Sequence, residues 1–336
     1  MARKRNVTMD DVARLARVSK PTVSRALSGS PLVTQKTRNR VLAVARKEGY
    51  AVNRNAQKLR RDRTNTIAVS LDFHSHRKNH ISDPFIFDLL AGVSEALGER
   101  KQDLLLCAPN HNDTDAFSEM LAGQTADGFI VLGQGHREQM LEKFAASGAP
   151  FVVWGAGTSN TPYCVIGSDN YLGGLLAGRY FLRMKRRRLL FIGDTTFREI
   201  ARRREGLQAA VDESRNGASV NDVALSNFSF ESAFEAATRY LKSAASPPDA
   251  IFAFSDTATM AAIRACLDCG LSVPRDVSVV GYNDIPAAAY FSPPITTIRQ
   301  DTRQAGALLV SNLMRMIEGD QPESKSIATE LIVRET

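Results

Sequence analysis

The chain has 336 residues, of which 43% are hydrophobic and 24% are charged. This length allows two or three domains with sizeable cores, and the composition is ordinary for a globular protein. No apolar run reaches the ~20 residues that a membrane helix needs, and the basic start "MARKRN" leads into no apolar segment. We therefore expect a cytoplasmic protein without membrane contact.

Charge is distributed unevenly along the chain. Residues 1–66 contain 17 Lys and Arg against 4 Asp and Glu, whereas the remaining residues contain 26 against 32. A strongly basic head therefore precedes a mildly acidic body. Such a head indicates a polyanionic partner, either nucleic acid or an anionic membrane.

The first ~50 residues predict three helices by their apolar periodicity. Each follows a residue that can cap it: Thr8, Ser19 and Thr34. Asp11 completes a capping box with the first of these, and Pro21 falls in the first turn of the second helix, where its missing N–H costs nothing. The apolar face predicted for the first helix consists of Val12, Leu15 and Ala16.

The second helix, in "SKPTVSRAL", has little to bury. Two short helices joined by a three-residue turn in a basic domain predict a helix-turn-helix, whose second helix enters the major groove of DNA. Its polar side chains can then contact bases and phosphates: Ser19, Lys20, Thr22, Ser24 and Arg25. Arg25 suits a bidentate contact to guanine. The alternative is a solvated, basic helical hairpin.

From Thr66 onward, apolar runs such as "TIAVSLD", "GFIVLG" and "VSVVGY" alternate with amphipathic stretches. This alternation predicts parallel sheets covered by helices on both faces. About ten strands are too many for one comfortable doubly wound sheet, so we expect two lobes, with a break near residues 167–170.

The segment "VTMDDVARLARVSKPTVSRALSGSPLVTQKTRNRVLAVARKEGYAVNRNAQKL" resembles the N-terminal domain of the LacI/GalR family of bacterial transcription regulators. Segments of the body, among them "ADGFIVLG", "SDNYLGGLLAGRYFL" and "VPRDVSVVGYNDIP", resemble that family's effector-binding core. The resemblance covers nearly the whole chain in the expected order. It implies an all-α helix-turn-helix head and a two-lobed α/β core like that of periplasmic binding proteins, with open doubly wound parallel sheets.

The resemblance also implies domain bounds. The head covers residues 1–52, and a hinge helix with its linker covers 53–65. The core covers 66–336, with the first lobe at about 66–167 and 297–322 and the second at about 168–296 and 323–336.

For the head, the resemblance implies that residues 53–60 fold on DNA and that Leu59 wedges into the minor groove. Asn53 and Arg54 would lie against the DNA backbone, and Lys20 and Pro21 would help to choose bases. The full set expected at DNA is Thr8, Ser19, Lys20, Pro21, Thr22, Ser24, Arg25, Asn53, Arg54 and Leu59.

For the core, the resemblance implies an effector in the cleft between the lobes. The residues expected there are Asp83, Phe85, Ile86, Trp154, Arg203, Phe228, Asp256 and Asn283. Phe228 matches a position that stacks on the ligand ring, and Trp154 fits either the core or the cleft wall. Asn283 replaces an acidic residue that is often found at its position, but it can still pair with a hydroxyl.

The sequence gives little indication of disulfide bonds, metal sites or catalytic motifs. The four cysteines are scattered and indicate no disulfide framework, and the single CxxC pair, Cys266 and Cys269, has no second pair to complete a zinc site. The cluster of His74, His76 and His80 has no carboxylate or thiolate at ligand spacing. No Walker A, GxSxG or HExxH pattern occurs. We expect no metal, no cofactor and no enzymatic activity.

These observations favour a homodimeric, ligand-responsive regulator that binds pseudo-palindromic operator DNA. The expected role is repression of carbohydrate catabolism genes, with a sugar effector such as an α-glucoside. One alternative is a purine-responsive member of the same family. A solute-binding protein and an enzyme with a nucleic-acid tether remain as further alternatives.

Overall fold

The computed structural model describes residues 7–50, 63–71, 83–107 and 113–336. The chain divides into two compact units, Met1–Arg63 and Thr64–Thr336, here called the N-terminal unit and the core unit. No helix among the described residues is long and apolar enough to cross a bilayer.

The N-terminal unit contains three described helices: α1 (Met9–Ala16), α2 (Lys20–Leu27) and α3 (Gln35–Lys47). The three predicted caps are confirmed, because the side chains of Thr8, Ser19 and Thr34 each accept a backbone N–H in the first turn of the helix that follows. Asp11 in turn accepts the Thr8 N–H at 3.0 Å, which completes the capping box.

The three helices share one small apolar core. Its buried members are Val12, Ala13, Ala16, Val23, Ala26, Val33, Val41 and Ala45. The prediction that Leu15 belongs to this core is wrong, since Leu15 is 47% exposed. Ala13 takes its place because the side of α1 that meets the other helices carries residues 12, 13 and 16.

The core unit contains twelve strands and nine helices within the described residues. The strands are β1 (Thr66–Leu71), β2 (Asp103–Leu106), β3 (Gly128–Leu132), β4 (Phe151–Trp154), β5 (Cys164–Ser168), β6 (Arg188–Ile192), β7 (Ser219–Val223), β8 (Ala250–Ala253), β9 (Ser278–Asn283), β10 (Thr296–Arg299), β11 (Lys325–Ile327) and β12 (Glu330–Ile332). The helices are α4 (Pro84–Glu99), α5 (Thr114–Ala122), α6 (Glu138–Ala146), α7 (Asn170–Arg183), α8 (Arg198–Ser214), α9 (Phe230–Ser243), α10 (Asp256–Asp268), α11 (Pro286–Tyr290) and α12 (Thr302–Glu318).

The strands form two six-stranded sheets, one in each lobe. The first sheet has the order β11-β5-β4-β3-β1-β2, and the second has the order β12-β10-β9-β8-β6-β7. All pairs are parallel except β10 with β12. The strands β1, β3, β4 and β5 are buried throughout, as parallel strands covered on both faces should be. The predicted fold class is confirmed.

The chain crosses between the lobes three times, and the later two crossings differ from the predicted bounds. Strand β10 was expected in the first lobe, but it pairs with β9 of the second, with Thr297 opposite Gly281. Strand β11 was expected in the second lobe, but it pairs with β5 of the first, with Ser326 opposite Gly167. The crossings therefore follow β5, β10 and β11.

Helices α7 and α8 touch through their backbones, which sets the position of the cleft wall. A Cβ on Gly206 would lie 2.0 Å from the carbonyl oxygen of Tyr171, and a Cβ on Gly174 would lie 1.9 Å from that of Arg203. Only glycine allows this approach.

We expect Gly206→Ala to destabilise the core unit by about 1–3 kcal/mol, since the helices must separate to admit a methyl group. Gly98→Ala is the matched control, because a Cβ there meets nothing within 4 Å on a helix. It should be neutral or raise the free energy of unfolding by roughly 0.5–1 kcal/mol. Urea unfolding compares the two, and equal effects would contradict the tight contact.

Candidate functional site

The N-terminal unit presents the polar side of α2 to solvent. Ser19, Lys20, Pro21 and Arg25 are exposed, and Thr22 and Ser24 are half-buried. Thr8 is exposed at the start of α1. Burial of Val23 and Ala26 fixes the opposite side of α2 in the core, so the polar residues form one continuous face.

Two cations on this face differ in their surroundings. Lys20 Nζ lies 2.8 Å from the Asp10 carboxylate, whereas the exposed Arg25 guanidinium has no ion-pair partner among the described residues. A cation without a protein partner is available to a phosphate or a base edge. The other predicted DNA contacts, Asn53, Arg54 and Leu59, lie outside the described residues.

The core unit has a cleft between its lobes, at the carboxyl ends of the strands. Residues from the first lobe follow β3, end β4 or lie at the start of α4, and residues from the second lobe follow β6, β7 and β8 or end β9. Open α/β sheets bind ligands at this edge. The cleft is lined by Asp83, Phe85, Ile86, Gly133, Gln134, Gly135, Trp154, Phe197, Glu199, Ile200, Arg203, Phe228, Phe254, Ser255 and Asn283. Seven of the eight predicted effector residues are thus brought together.

Aromatic rings form one wall of the cleft. The Phe228 ring centroid lies 4.7 Å from that of Phe197 and 4.8 Å from that of Phe254. Across the cleft, Phe85 and Trp154 lie 6.1 Å apart. The sequence prediction missed Phe197 and Phe254, although Phe254 directly follows the buried strand β8.

Arg203 supplies a fixed cation. It is 8% exposed, its Nε donates to Asn170 Oδ1 at 2.8 Å, and its Nη1 donates to the Phe254 carbonyl at 2.5 Å. Its Cζ lies 3.6 Å from the centroid of the Tyr282 ring, a cation–π contact. These partners leave part of the five-donor guanidinium for a ligand.

Two carboxylates balance this cation. Burial raises the pKa of Asp83 to about 6, although the Phe85 N–H and the charge of Arg203 act in the opposite direction. Burial also raises the pKa of Glu199, which was not among the predicted residues. A site with one cation and two nearby acids carries no excess of positive charge, so it favours hydroxyl groups over a strongly anionic ligand.

Asn283 occupies an unusual backbone position at the end of β9. Its φ is 112°, in the left-handed region that Asn tolerates better than most residues. Its Oδ1 accepts from Gln300 Nε2 at 2.7 Å. With the oxygen engaged, its Nδ2 remains as a donor for the cleft.

Asp256 does not line the cleft, which corrects its predicted position. It is fully buried behind the wall, where its Oδ1 accepts from Thr297 Oγ1 at 2.5 Å and its Oδ2 accepts from Ile285 N at 2.8 Å. One oxygen holds the segment after β9 and the other holds β10, so Asp256 positions Asn283 indirectly. Its neighbour Ser255 lines the cleft instead.

Asp256 gives a pH prediction. Burial raises its pKa from 3.8 to about 8, despite the two donors that favour the carboxylate. Between about pH 4 and pH 8 the folded state therefore keeps a proton that the unfolded state releases, so stability falls as the pH rises. The decline per pH unit cannot exceed about 1.4 kcal/mol for one group.

We expect Asp256→Asn to flatten the loss of stability between pH 5 and pH 8. Denaturant unfolding at several pH values measures it, with the exposed Asp320→Asn as control. An unchanged pH slope in Asp256→Asn would contradict a protonated carboxyl group at this position.

The lobes contact each other at the edge of the cleft. Arg198 Nη2 of α8 lies 3.8 Å from Glu138 Oε1 of α6, and the His136 and Phe197 ring centroids lie 4.2 Å apart. These partners come from different lobes, so each contact depends on the lobe arrangement.

A helix-turn-helix unit with a free polar face and a two-lobed unit with a ligand cleft define a ligand-responsive DNA-binding regulator. The model of the lacI family of bacterial regulatory proteins matches residues 8–53, and that of a periplasmic binding protein-like domain matches residues 179–336. The HTH-type transcriptional regulator CelR of Thermobifida fusca is 31% identical over 342 residues, covering 100% of both chains. The HTH-type transcriptional repressor PurR of Photobacterium profundum is 30% identical over 335 residues, covering 98% of both.

Solved structures agree. A transcriptional regulator CelR–cellobiose complex has a TM-score of 0.70 at 30% identity and covers 98% of this chain and 99% of its own. A Lac repressor dimer bound to operator and the anti-inducer ONPF has a TM-score of 0.85 at 24% identity and covers 99% of both chains. The second comparison supports the fold.

The chain belongs to the lacI family of bacterial regulatory proteins. It is a ligand-responsive transcriptional repressor of that family. The predicted class, a DNA-binding regulator and not an enzyme, is confirmed by its relatives.

Proposed function

We propose that this repressor responds to a glucoside bound in the cleft and controls genes of carbohydrate catabolism. The observation that carries the proposal is the pairing of an aromatic wall around Phe228 with Arg203 and two acids. The C–H face of a sugar ring stacks on an aromatic ring, and its hydroxyls pair with Asp, Glu, Asn and Arg side chains.

One relative supports a glucose-containing ligand. The CelR structure holds cellobiose, a disaccharide of glucose. The α-glucoside expected from sequence and the β-linked cellobiose are the first two ligands to compare. The residues proposed to contact the ligand are Asp83, Phe85, Ile86, Trp154, Arg203, Phe228 and Asn283, with Asp256 as a positioning residue.

A purine effector is the second candidate. It is favoured by the similarity to PurR and by the Phe197–Phe228–Phe254 cluster, on which a purine would also stack. The acids Asp83 and Glu199 beside Arg203 suit a polyhydroxylated ligand better, because they accept from several hydroxyls at once.

A thermal-shift screen of glucosides, other sugars and purines tests the proposal. We expect a rise in the melting temperature with a glucoside, since a ligand that binds only the folded state stabilises it. If a purine base raises the melting temperature and no sugar does, the effector is a purine and not a glucoside.

On the N-terminal unit, we propose that the exposed face of α2 contacts operator bases and phosphates. The described residues in this role are Thr8, Ser19, Lys20, Pro21, Thr22, Ser24 and Arg25. Asn53, Arg54 and Leu59 remain proposed contacts. The operator is a pseudo-palindrome, because a symmetric dimer places two such helices on related half-sites.

Self-association as a homodimer is supported by an apolar groove on the second lobe. It is lined by Phe230, Phe234, Met260, Arg264, Asp268 and Phe291. Nearby in sequence, Leu267 is 54% exposed and Tyr290 is 89% exposed. Exposed apolar side chains of this size mark a protein interface, and the two charged residues of the groove, Arg264 and Asp268, pair with each other at 2.9 Å, so they place no uncompensated charge in a contact with a second copy.

We expect Leu267→Lys/Tyr290→Lys to shift the protein toward monomer, because it places charges at the rim of the proposed interface. Sedimentation velocity measures the change. Met184→Lys, at a residue 44% exposed at the end of α7, is the control and should stay dimeric. If the double variant sediments like the parent, the dimer interface does not include this groove.

A further inference from the structure

A second groove opens where the chain crosses between the lobes, here called the hinge groove. Its volume is about 640 Å³, within the range of small-molecule sites. It is lined by Gly155, Ala156, Gly157, Thr158, Val165, Gly167, Ser168, Asp169, Asn170, Tyr171, Arg198, Arg202, Ser324, Lys325 and Ser326. None of these residues lines the effector cleft.

The groove and the cleft share helix α8 but use different sides of it. Arg198 and Arg202 stand four residues apart and line the groove, whereas Glu199 and Arg203 line the cleft. Residues four apart lie on the same side of a helix. The groove is therefore a separate cavity with its own chemistry.

Cations outnumber carboxylates among the residues that line the groove. Arg198, Arg202 and Lys325 line it against one carboxylate, that of Asp169, which already accepts from the Leu172 N–H at 2.9 Å. Arg198 also lies 3.8 Å from Glu138 outside the lining, which compensates part of its charge. Arg202 stacks on Tyr171, with its Cζ 4.9 Å from the ring centroid. Arg202 also pairs with Glu205 at the helix surface, which leaves further donors on its guanidinium.

Backbone groups add to this positive character. Helix α8 begins at the groove and has no side-chain cap from its N-cap residue, Phe197, whereas α7, which also begins there, is capped by Asp169. Free N–H groups at the start of a helix favour an anion. The lining residues Gly155, Gly157 and Gly167 have no side chains, and a Cβ on Gly167 would lie 1.9 Å from the Gly155 carbonyl oxygen.

An unsatisfied hydroxyl points independently to a ligand. Ser168 lines the groove and is 7% exposed, and its Oγ has no hydrogen-bond partner among the described residues. Buried polar atoms are almost always paired. A bound molecule with an acceptor oxygen would supply the missing partner.

We propose that the hinge groove binds a small phosphorylated metabolite, whose phosphoryl oxygens accept from Arg198, Arg202, Lys325 and Ser168. The groove draws its walls from both lobes and from two of the crossing segments, so a bound anion contacts the hinge. Asn170 lines the groove and accepts from Arg203 of the cleft. An anion bound in the hinge groove therefore also biases the lobe arrangement. This effect on the lobes rests on the proposed function, whereas the binding of the anion does not.

Calorimetry with the full chain tests the site with inorganic phosphate and glucose 6-phosphate as probes and glucose as the uncharged match. We expect both anions to bind at millimolar concentration. The Arg202→Gln/Lys325→Gln variant should bind them at least about tenfold more weakly, since charge-assisted hydrogen bonds contribute this much. The control Arg179→Gln/Lys242→Gln removes the same charge from exposed residues that do not line the groove and should bind like the parent.

Ser168→Ala separates a loss of anion binding from a loss of stability, because the Ser168 hydroxyl makes no hydrogen bond to the described residues of the free protein. It should melt like the parent yet bind glucose 6-phosphate more weakly. Phe228→Ala, a cleft variant, should retain anion binding. The proposal is overturned if neither anion binds the parent, or if Phe228→Ala loses the anions while the groove variants keep them.

Discussion

Replacing Arg203 should leave operator binding intact and abolish the response to the effector. The guanidinium is buried in the cleft wall and held by Asn170, Phe254 and the ring of Tyr282. A ligand hydroxyl bonded to a buried charge contributes about 1.5–3 kcal/mol. Loss of that bond, together with the unbalanced acids Asp83 and Glu199, should weaken effector binding on the order of 100-fold.

Both affinities are measured for Arg203→Ala and for Arg203→Gln, whose side chain fills more of the space left by arginine. A packing defect in one variant then does not decide the result. Calorimetry gives effector affinity, and fluorescence anisotropy gives operator affinity. Arg204→Ala is the control, because Arg204 stands on the same helix but pairs with Asp222 outside the cleft. If the Arg203 variants bind and respond like the parent, the cleft is not the effector site.

Replacing Arg25 should have the largest effect on DNA recognition. Arg25 is exposed on the free face of α2 without an ion-pair partner among the described residues. A bidentate contact from Arg to guanine contributes about 1–3 kcal/mol of discrimination. Arg25→Ala should lower affinity for the operator by that amount and relax the preference at one base position.

Arg14→Ala provides the matched control for DNA binding. Arg14 is also an exposed arginine of the N-terminal unit, but it lies on α1 and pairs with Asp11 at 3.1 Å. Its loss should weaken binding to specific and random DNA alike, if at all. Equal losses on both DNAs for Arg25→Ala would identify Arg25 as a phosphate contact.

The features that could be predicted from sequence are mainly local or repeated. The caps at Thr8, Ser19 and Thr34 depend on side chains within three residues of the N–H groups that they accept. The buried strands could be predicted from continuous apolar runs in the sequence. The cleft residues followed from matching family motifs, and seven of eight line the cleft.

The features that were missed depend on contacts far apart in sequence. Whether Asp256 faces the ligand or lies behind the wall is decided by Ile285 and Thr297, which are 29 and 41 residues away. The lobe bounds failed at β10 and β11 because strands of three or four residues carry too little pattern to indicate their sheet. Phe197 and Phe254 could not be told from ordinary core aromatics in the sequence, because only the fold places them beside Phe228.

The lobe contacts are the places where ligand binding can shift the lobe arrangement of the core unit. A ligand shifts an equilibrium between lobe arrangements only by its difference in affinity for the two. A nearly complete switch, from 1:99 to 99:1, needs about 5.5 kcal/mol of such difference. The Arg198–Glu138 and His136–Phe197 contacts bridge the lobes, so they are places where this difference arises.

The most direct test of ligand control is operator affinity with and without the glucoside that stabilises the protein. Fluorescence anisotropy on an operator selected from random pseudo-palindromes gives both dissociation constants. We predict that the saturating glucoside changes the operator Kd at least about tenfold, which corresponds to about 1.4 kcal/mol. A glucoside that binds the cleft with an unchanged operator Kd would contradict the account.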